Sequence, residues 1–387
     1  MTRNIFAGLG LAVLLVGTPL SGRAADPFEI NAILPLTGPA SFLGKEEAAA
    51  LSVIEGVVNK SGGISGRPIK FAIVDDQSSP QLGVQLMNSV TAKKVSVVLG
   101  SSLVAVCSAM MPLVKDGPTN YCFSPGVHPP DGSYAFSSSI STADLLKASA
   151  VYFHERGWRK IAIITSSDAT GQDAERGIDA AFNTASGEEI VDREHFNITD
   201  VSVAAQMAHV KASGAQALIA WSTGTPIATI FRGITEAGIT IPVETTNGNG
   251  TYAQMKAYAA FLPKELYFAL PPAMAPDQLP NGPVKRAVTA YLNAFKPSGT
   301  RPDIGQALAW DPAMLVIDAY KKLGLNATAA QIKAFIDGQR GWVGINGQYD
   351  FQAVPQRGVG VNSVVIGHWD PAKDTWVGVS KLGGKPL

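Results

Sequence analysis

Short apolar runs alternate with amphipathic stretches along most of the chain. Residues 28–36 read FEINAILPL, and the TGPASFLG loop after them leads into a helix over 45–59. Its Ala49, Val53, Ile54, Val57 and Val58 recur close to a 3.6-residue period, which predicts one apolar face. Gly62 and Gly63 stop that helix, Gly66, Arg67 and Pro68 make a second turn, and the β-branched run 69–74 reads as a strand buried on both faces. The acidic loop Asp75-Asp76-Gln77 follows at the strand's C-terminal end, where open α/β sheets keep their ligand crevices. A helix over 80–92, a strand over 95–99, a helix running from Gly100-Ser101-Ser102 through Met111 and a strand over 119–123 continue the alternation. The pattern then restarts, with helices over 143–156, 172–185, 201–213 and 226–237 between strands over 160–165, 189–195 and 217–221. Strands and helices in this order predict an α/β fold with doubly wound parallel sheets.

The last third breaks the rhythm. Residues 271–283 are rich in proline, and the helices over 284–295 and 304–323 have no strand between them, so they must pack onto an earlier unit. The tail, 344–379, alternates like a strand (SVVIGHW, TWVGV) and needs an existing sheet to join.

Length agrees with two units, since 387 residues exceed one comfortable core. Hydrophobic residues at 46% and charged residues at 16% describe a globular chain, and 31 basic against 31 acidic side chains give no electrostatic case for nucleic acid. The N-terminus reads as a secretory leader. Arg3 is its positive end, 5–16 its apolar core, and Gly22 and Ala24 the small residues before a cleavage after Ala24. Thr18-Pro19 interrupts the run too early for a membrane span, and no cysteine stands at the cleavage point for lipid attachment. In an exported protein Cys107 and Cys122 can form a disulfide; two buried thiols are the alternative.

Catalytic patterns are sparse. The chain has no G-x-S-x-G, H-E-x-x-H or Walker loop, and its five histidines lack metal-ligand spacing. Asp75 and Asp76, adjacent on a strand, point to opposite faces and make a poor acid/base pair. A binding protein fits these residues better than an enzyme, and no cofactor or metal is implied.

Taken together, GGISGRPI followed by VDDQSSP resembles the type I periplasmic binding proteins, in the leucine/isoleucine/valine-binding branch of ABC-importer receptors. The resemblance implies two doubly wound lobes joined by a three-segment hinge. Residues 1–24 would be the signal peptide, 25–140 with 271–343 the first lobe, and 141–270 with 344–387 the second. It also implies a small-molecule ligand caught between the lobes in the periplasm, membrane permease subunits as partners, and a receptor acting as a monomer.

Site residues follow from the same resemblance. Ser101, Ser102 and Val104 fall in the loop that holds a ligand carboxylate in that branch, although a plain helix cap explains the serines equally. The next loop offers Gly126, Val127 and His128, with histidine where relatives have a threonine; it is either an anion donor or an exposed loop residue. Across the hinge the matched positions are Asp168 and Thr170, then Trp221, Thr223 and Gly224, then Asn247 where amino-acid binders carry the acidic partner of the ammonium. Phe42 and Leu43 would make an apolar wall in the first loop, and Trp310 would face the ligand unless it packs in a helix core. An amide at 247 cannot pair with a buried ammonium. The expected ligand is therefore a small carboxylate without an α-amine, an aromatic acid first. A branched-chain amino acid, with Asp168 or Glu244 supplying the charge, comes second, and urea or a short amide third.

Overall fold

The computed structural model describes residues 26–183 and 187–387; the leader read at 1–24 lies outside the described residues. Its first part runs β1 (Phe28–Leu34), α1 (Ser41–Lys60), β2 (Ile69–Asp75), α2 (Pro80–Thr91), β3 (Val97–Leu99), α3 (Val104–Met110), β4 (Thr119–Cys122) and β5 (Ala135–Ser137). These strands form one parallel sheet in the order β2-β1-β3-β4-β5. β1 is buried from Ile30 to its end, Asn31 included, as a strand in a sheet covered on both faces must be.

The second part runs α4 (Thr142–Glu155), β6 (Lys160–Ser166), α5 (Ala169–Ala181), β7 (Glu189–Phe196), α6 (Ala204–Ala212), β8 (Ala217–Trp221), α7 (Ile227–Glu236), β9 (Val243–Thr245), α8 (Tyr252–Tyr258) and β10 (Leu266–Leu270). The chain closes with α9 (Pro283–Phe295), α10 (Ile304–Leu323), α11 (Ala329–Asp337), β11 (Arg340–Val343), β12 (Gln348–Asp350), β13 (Val365–Asp370) and β14 (Thr375–Gly378). The second sheet has the order β14-β13-β10-β9-β8-β6-β7. β6 to β10 are parallel within it, while β13 and β14 join antiparallel, so this sheet is mixed where a wholly parallel one is predicted.

α9 and α10 return to the first part of the chain, α10 lying along α1. The tail divides differently from the 344–387 assignment to the second lobe. β11 and β12 pair only with each other, and the turn after them closes on the first sheet, where the Ser137 N–H donates to the Gln356 carbonyl at 2.9 Å. Only from Val365 does the chain enter the second sheet.

α1 also differs, starting at Ser41 rather than 45, so Phe42 and Leu43 lie on its first turn and not in a loop. Its N-cap, Ala40, makes no side-chain hydrogen bond. Packing holds this helix start in place of a cap: Leu43, Glu47, Ala50, Leu51, Ile54 and Val58 form one buried stripe at three- and four-residue steps.

Candidate ligand-binding site

The C-terminal ends of the strands in the two sheets face one another and enclose a cavity. From the first side come Leu43 on α1, Ser102 and Leu103 between β3 and α3, Val104 at the first position of α3, and Ser124, Pro125 and Gly126 after β4, with Leu308 on α10. From the second come Thr142 and Thr170 at the starts of α4 and α5, Trp221 and Thr223 at the end of β8, and Thr246 and Gly248 after β9. The lining side chains nearly fill the space between them, leaving a cavity of about 10 Å³. The cleft is closed.

None of the lining side chains is charged. Six carry hydroxyls, and Trp221, buried at 1% exposure, presents a flat apolar wall. Ser124 Oγ is fully buried and, among the described residues, has no hydrogen-bond partner. A lone buried hydroxyl is unfavourable unless something completes it, so it marks a polar contact point in the cavity wall.

Buried carboxyls support the serine loop from behind. Ser101 Oγ donates to Asp76 at 2.6 Å, which turns that hydroxyl away from the cavity, while Ser102 Oγ lies 3.1 Å from Glu47. Burial pushes the Glu47 carboxyl up to about 8, the Ser102 contact offsetting part of the rise. A disulfide joins Cys107 on α3 to Cys122 on β4, with Cα atoms 6.2 Å apart, and so ties together the two elements that carry the Ser102 and Ser124 loops.

Of the sequence-predicted residues, the structure brings Leu43, Ser102, Val104, Gly126, Thr170, Trp221 and Thr223 to the cavity. The others go elsewhere. His128 reaches across the cleft to Asp173 on α5, at 2.6 Å, instead of facing a ligand. Burial pushes the Asp173 carboxyl up, but hydrogen bonds from His128, Thr142 and Arg176 and the attraction of His128 together outweigh it and hold the group below its ordinary range. Asp168 caps α5, accepting from Gly171 N–H at 3.1 Å and Ser166 Oγ at 2.7 Å. Glu244, the other candidate for a missing charge, is buried against Ser149 within the second sheet's core.

Trp310 packs against Tyr291 and Phe295 of α9, at centroid distances of 4.9 and 5.6 Å, so the core role wins. Leu308 takes the cavity face, because two residues turn a helix by about 200°. Asn247 is buried in a 3₁₀ turn and accepts from Thr246 Oγ1 at 3.3 Å, leaving Thr246 and Gly248 on either side of it to line the cavity. Phe42 meets Tyr258 edge to face at 6.0 Å, and Val127 is buried in the first sheet's core. Gly224 abuts the loop before α1, where the Thr225 N–H donates to the Pro39 carbonyl at 3.0 Å. Sequence reasoning did not single out Leu103, Ser124, Pro125, Thr142, Thr246, Gly248 or Leu308. The available signal was their place in the same strand-end loops, the helical Leu308 apart.

Among the described residues no group of acidic, histidine or cysteine side chains is arranged to hold a metal ion, and no helix is long and apolar enough to cross a membrane.

Comparison with known proteins gives the same architecture a wider setting. A curated relative, the Leu/Ile/Val-binding protein homolog 1 of Brucella abortus, is 30% identical over 100 residues, a stretch covering only 26% of this chain and 26% of that protein. An extracellular ligand-binding receptor from Rhodopseudomonas palustris superposes with a TM-score of 0.81 at 18% identity, over 92% of this chain and all of the other. A branched-chain amino acid transporter substrate binding protein from Streptococcus pneumoniae, in complex with isoleucine, superposes at 0.77 with 19% identity over 91% of this chain and 98% of the other. A solute binding protein of an R. palustris ABC transporter, in complex with benzoate, superposes at 0.76 with 18% identity over 94% of this chain and 98% of the other. The family model described as periplasmic binding protein matches residues 27–374, nearly the whole described chain, and with two α/β lobes around a closed cavity the chain belongs to the periplasmic binding protein family.

Proposed function

We propose that the chain is an exported receptor of an ABC importer that captures a small carboxylate, an aromatic acid such as benzoate in first place, and hands it to membrane permease subunits. One observation carries this reading: the lining offers hydroxyls from both sheets and Trp221, but no acidic side chain. A carboxylate gains charge-assisted hydrogen bonds from such hydroxyls, and a ring gains a flat apolar wall. An α-ammonium finds no counter-charge, since Asp168 and Glu244 are engaged elsewhere. The benzoate-bound protein of the same fold is consistent with this choice. Kinship over a quarter of the chain with a protein named for leucine, isoleucine and valine favours a branched-chain amino acid as the second reading.

Titration calorimetry of benzoate against leucine tests the choice. Wild type is expected to prefer benzoate, and Thr246→Asp, which adds a carboxylate to the lining, to weaken it by about tenfold or more. Tight leucine binding with no response to benzoate installs the amino-acid reading instead.

A further inference from the structure

Arg357 lies in the turn after β12, outside the cavity lining, and no part of the binding role described above uses it. It is 6% exposed. Its Nη1 donates to Ser137 Oγ at 2.8 Å and to the Ser139 carbonyl, and its Nη2 to the carbonyls of Val127 at 2.6 Å and Pro125 at 3.4 Å. Asp144 and Asp173 act on it through space, and among the described residues no carboxylate makes an ion pair with it. Burial pulls the guanidinium down to about 10, which leaves it charged at neutral pH. A buried cation held only by carbonyls and a hydroxyl is costly to a fold, and a hydrophobic side chain would fill the same space at less cost. Its position suggests what the charge is for.

Two of the carbonyls it holds belong to the loop after β4. In a trans peptide the N–H points opposite to the C=O. The Pro125 carbonyl accepts from Arg357 and, at 3.3 Å, from the Thr142 N–H; held by the two donors it turns the Gly126 N–H to the other side of that loop, and Pro125 and Gly126 line the cavity. Resting on the carboxylate reading above, we propose that Arg357 is a positioning residue that makes an uncharged cavity selective for anions. It orients the Pro125–Gly126 peptide and sets a positive charge behind it, out of reach of the ligand. Selectivity by a charge one layer back keeps the lining itself free of an ion pair, whose desolvation would oppose release to a permease.

Benzoate and benzamide, nearly alike in shape but different in charge, separate this role from a merely structural one. Titration calorimetry compares both ligands on wild type, Arg357→Met and Asp144→Asn. Arg357→Met is expected to weaken benzoate by about tenfold or more while changing benzamide by less than about threefold. Asp144→Asn, which removes one of the carboxylates opposing Arg357, is expected to tighten benzoate by about two- to threefold and leave benzamide alone. Equal changes for both ligands overturn the inference and leave the carboxylate reading intact. Should Arg357→Met fail to fold, Asp144→Asn decides alone, parallel shifts of the two ligands counting against the role. Wild type that binds no small carboxylate overturns the functional reading and this inference with it.

Discussion

At Glu47 a fully buried carboxyl sits one turn along α1 from Leu43, with Oε2 against Ser102 Oγ and Oε1 without a hydrogen-bond partner among the described residues. Burial raises its pKa to about 8, and the nearby Asp76 adds to the rise. While protonated, Glu47 can donate to Ser102 Oγ and leave the serine hydrogen for the cavity. Once ionised, it takes that hydrogen and places a negative charge behind the proposed carboxylate site. Affinity for a carboxylate is therefore expected to fall by about tenfold between pH 6.5 and 9 in wild type, and by much less in Glu47→Gln. The linkage to stability has the same direction. A carboxyl that keeps its proton to higher pH when folded stabilises fully below its unfolded value of 4.5, and this contribution is lost as pH rises toward about 8. Glu244, also raised to about 8 by burial, adds to the trend. Calorimetric titrations and melting curves at the two pH values check both parts, and a wild-type profile as flat as that of Glu47→Gln removes the assignment.

Between elements, the Cys107–Cys122 bridge fastens α3 to β4 beneath the two loops of the first lobe. Closing a loop of 15 residues contributes roughly 3 kcal/mol in the chain-entropy account. The double substitution Cys107→Ser, Cys122→Ser is expected to lower Tm by roughly 6–12 °C and to weaken ligand binding, because Ser102 and Ser124 lose their common support. Scanning calorimetry of the exported protein checks this, and an unchanged Tm counts against the bridge as a stabilising element. Much of this architecture was legible in the sequence because runs such as ALIAW in β8 are apolar on both faces, which only a covered sheet explains. β5 escaped, since AFS is too short to show a period, and so did the first turn of α1, where no capping side chain marks the start. Strand-end loops could be named from order alone. What could not be named was which residue of a turn faces inward: Thr246 and Gly248 rather than Asn247, Leu308 rather than Trp310. That choice depends on helical phase and on neighbours distant in sequence, such as Tyr291 and Phe295 against Trp310. Arg357 gave no local signal at all, because its partners lie more than 200 residues away.

For the whole molecule, a ligand can reach a cavity of about 10 Å³ only if the two lobes part. The chain crosses between the sheets three times, after β5, after β10 and before β13, which suits rotation of two lobes about a hinge. Contacts across the cleft define the closed arrangement. His128 meets Asp173 at 2.6 Å, Phe42 meets Tyr258 at 6.0 Å between ring centroids, and Thr225 N–H meets the Pro39 carbonyl at 3.0 Å. The His128 side chain is half exposed, so its pair is worth little, of order 1 kcal/mol or less. The backbone seam at Gly224 matters more. Its φ is +85°, and a Cβ there would overlap the Pro39 carbonyl, so only glycine lets the two lobes meet at this point. Gly224→Ala should therefore act on closure rather than on any ligand contact, since the residue does not line the cavity. On the proposed receptor role a ligand is held only when the lobes close around it, and a variant that disfavours closure then lowers apparent affinity by the fraction of closed molecules lost. The expected result is a loss of about tenfold or more in affinity, with the radius of gyration under saturating ligand staying near the ligand-free value. Wild type should contract on binding. Small-angle scattering with parallel calorimetry decides the matter: a Gly224→Ala protein that contracts and binds like wild type shows that the seam does not govern closure.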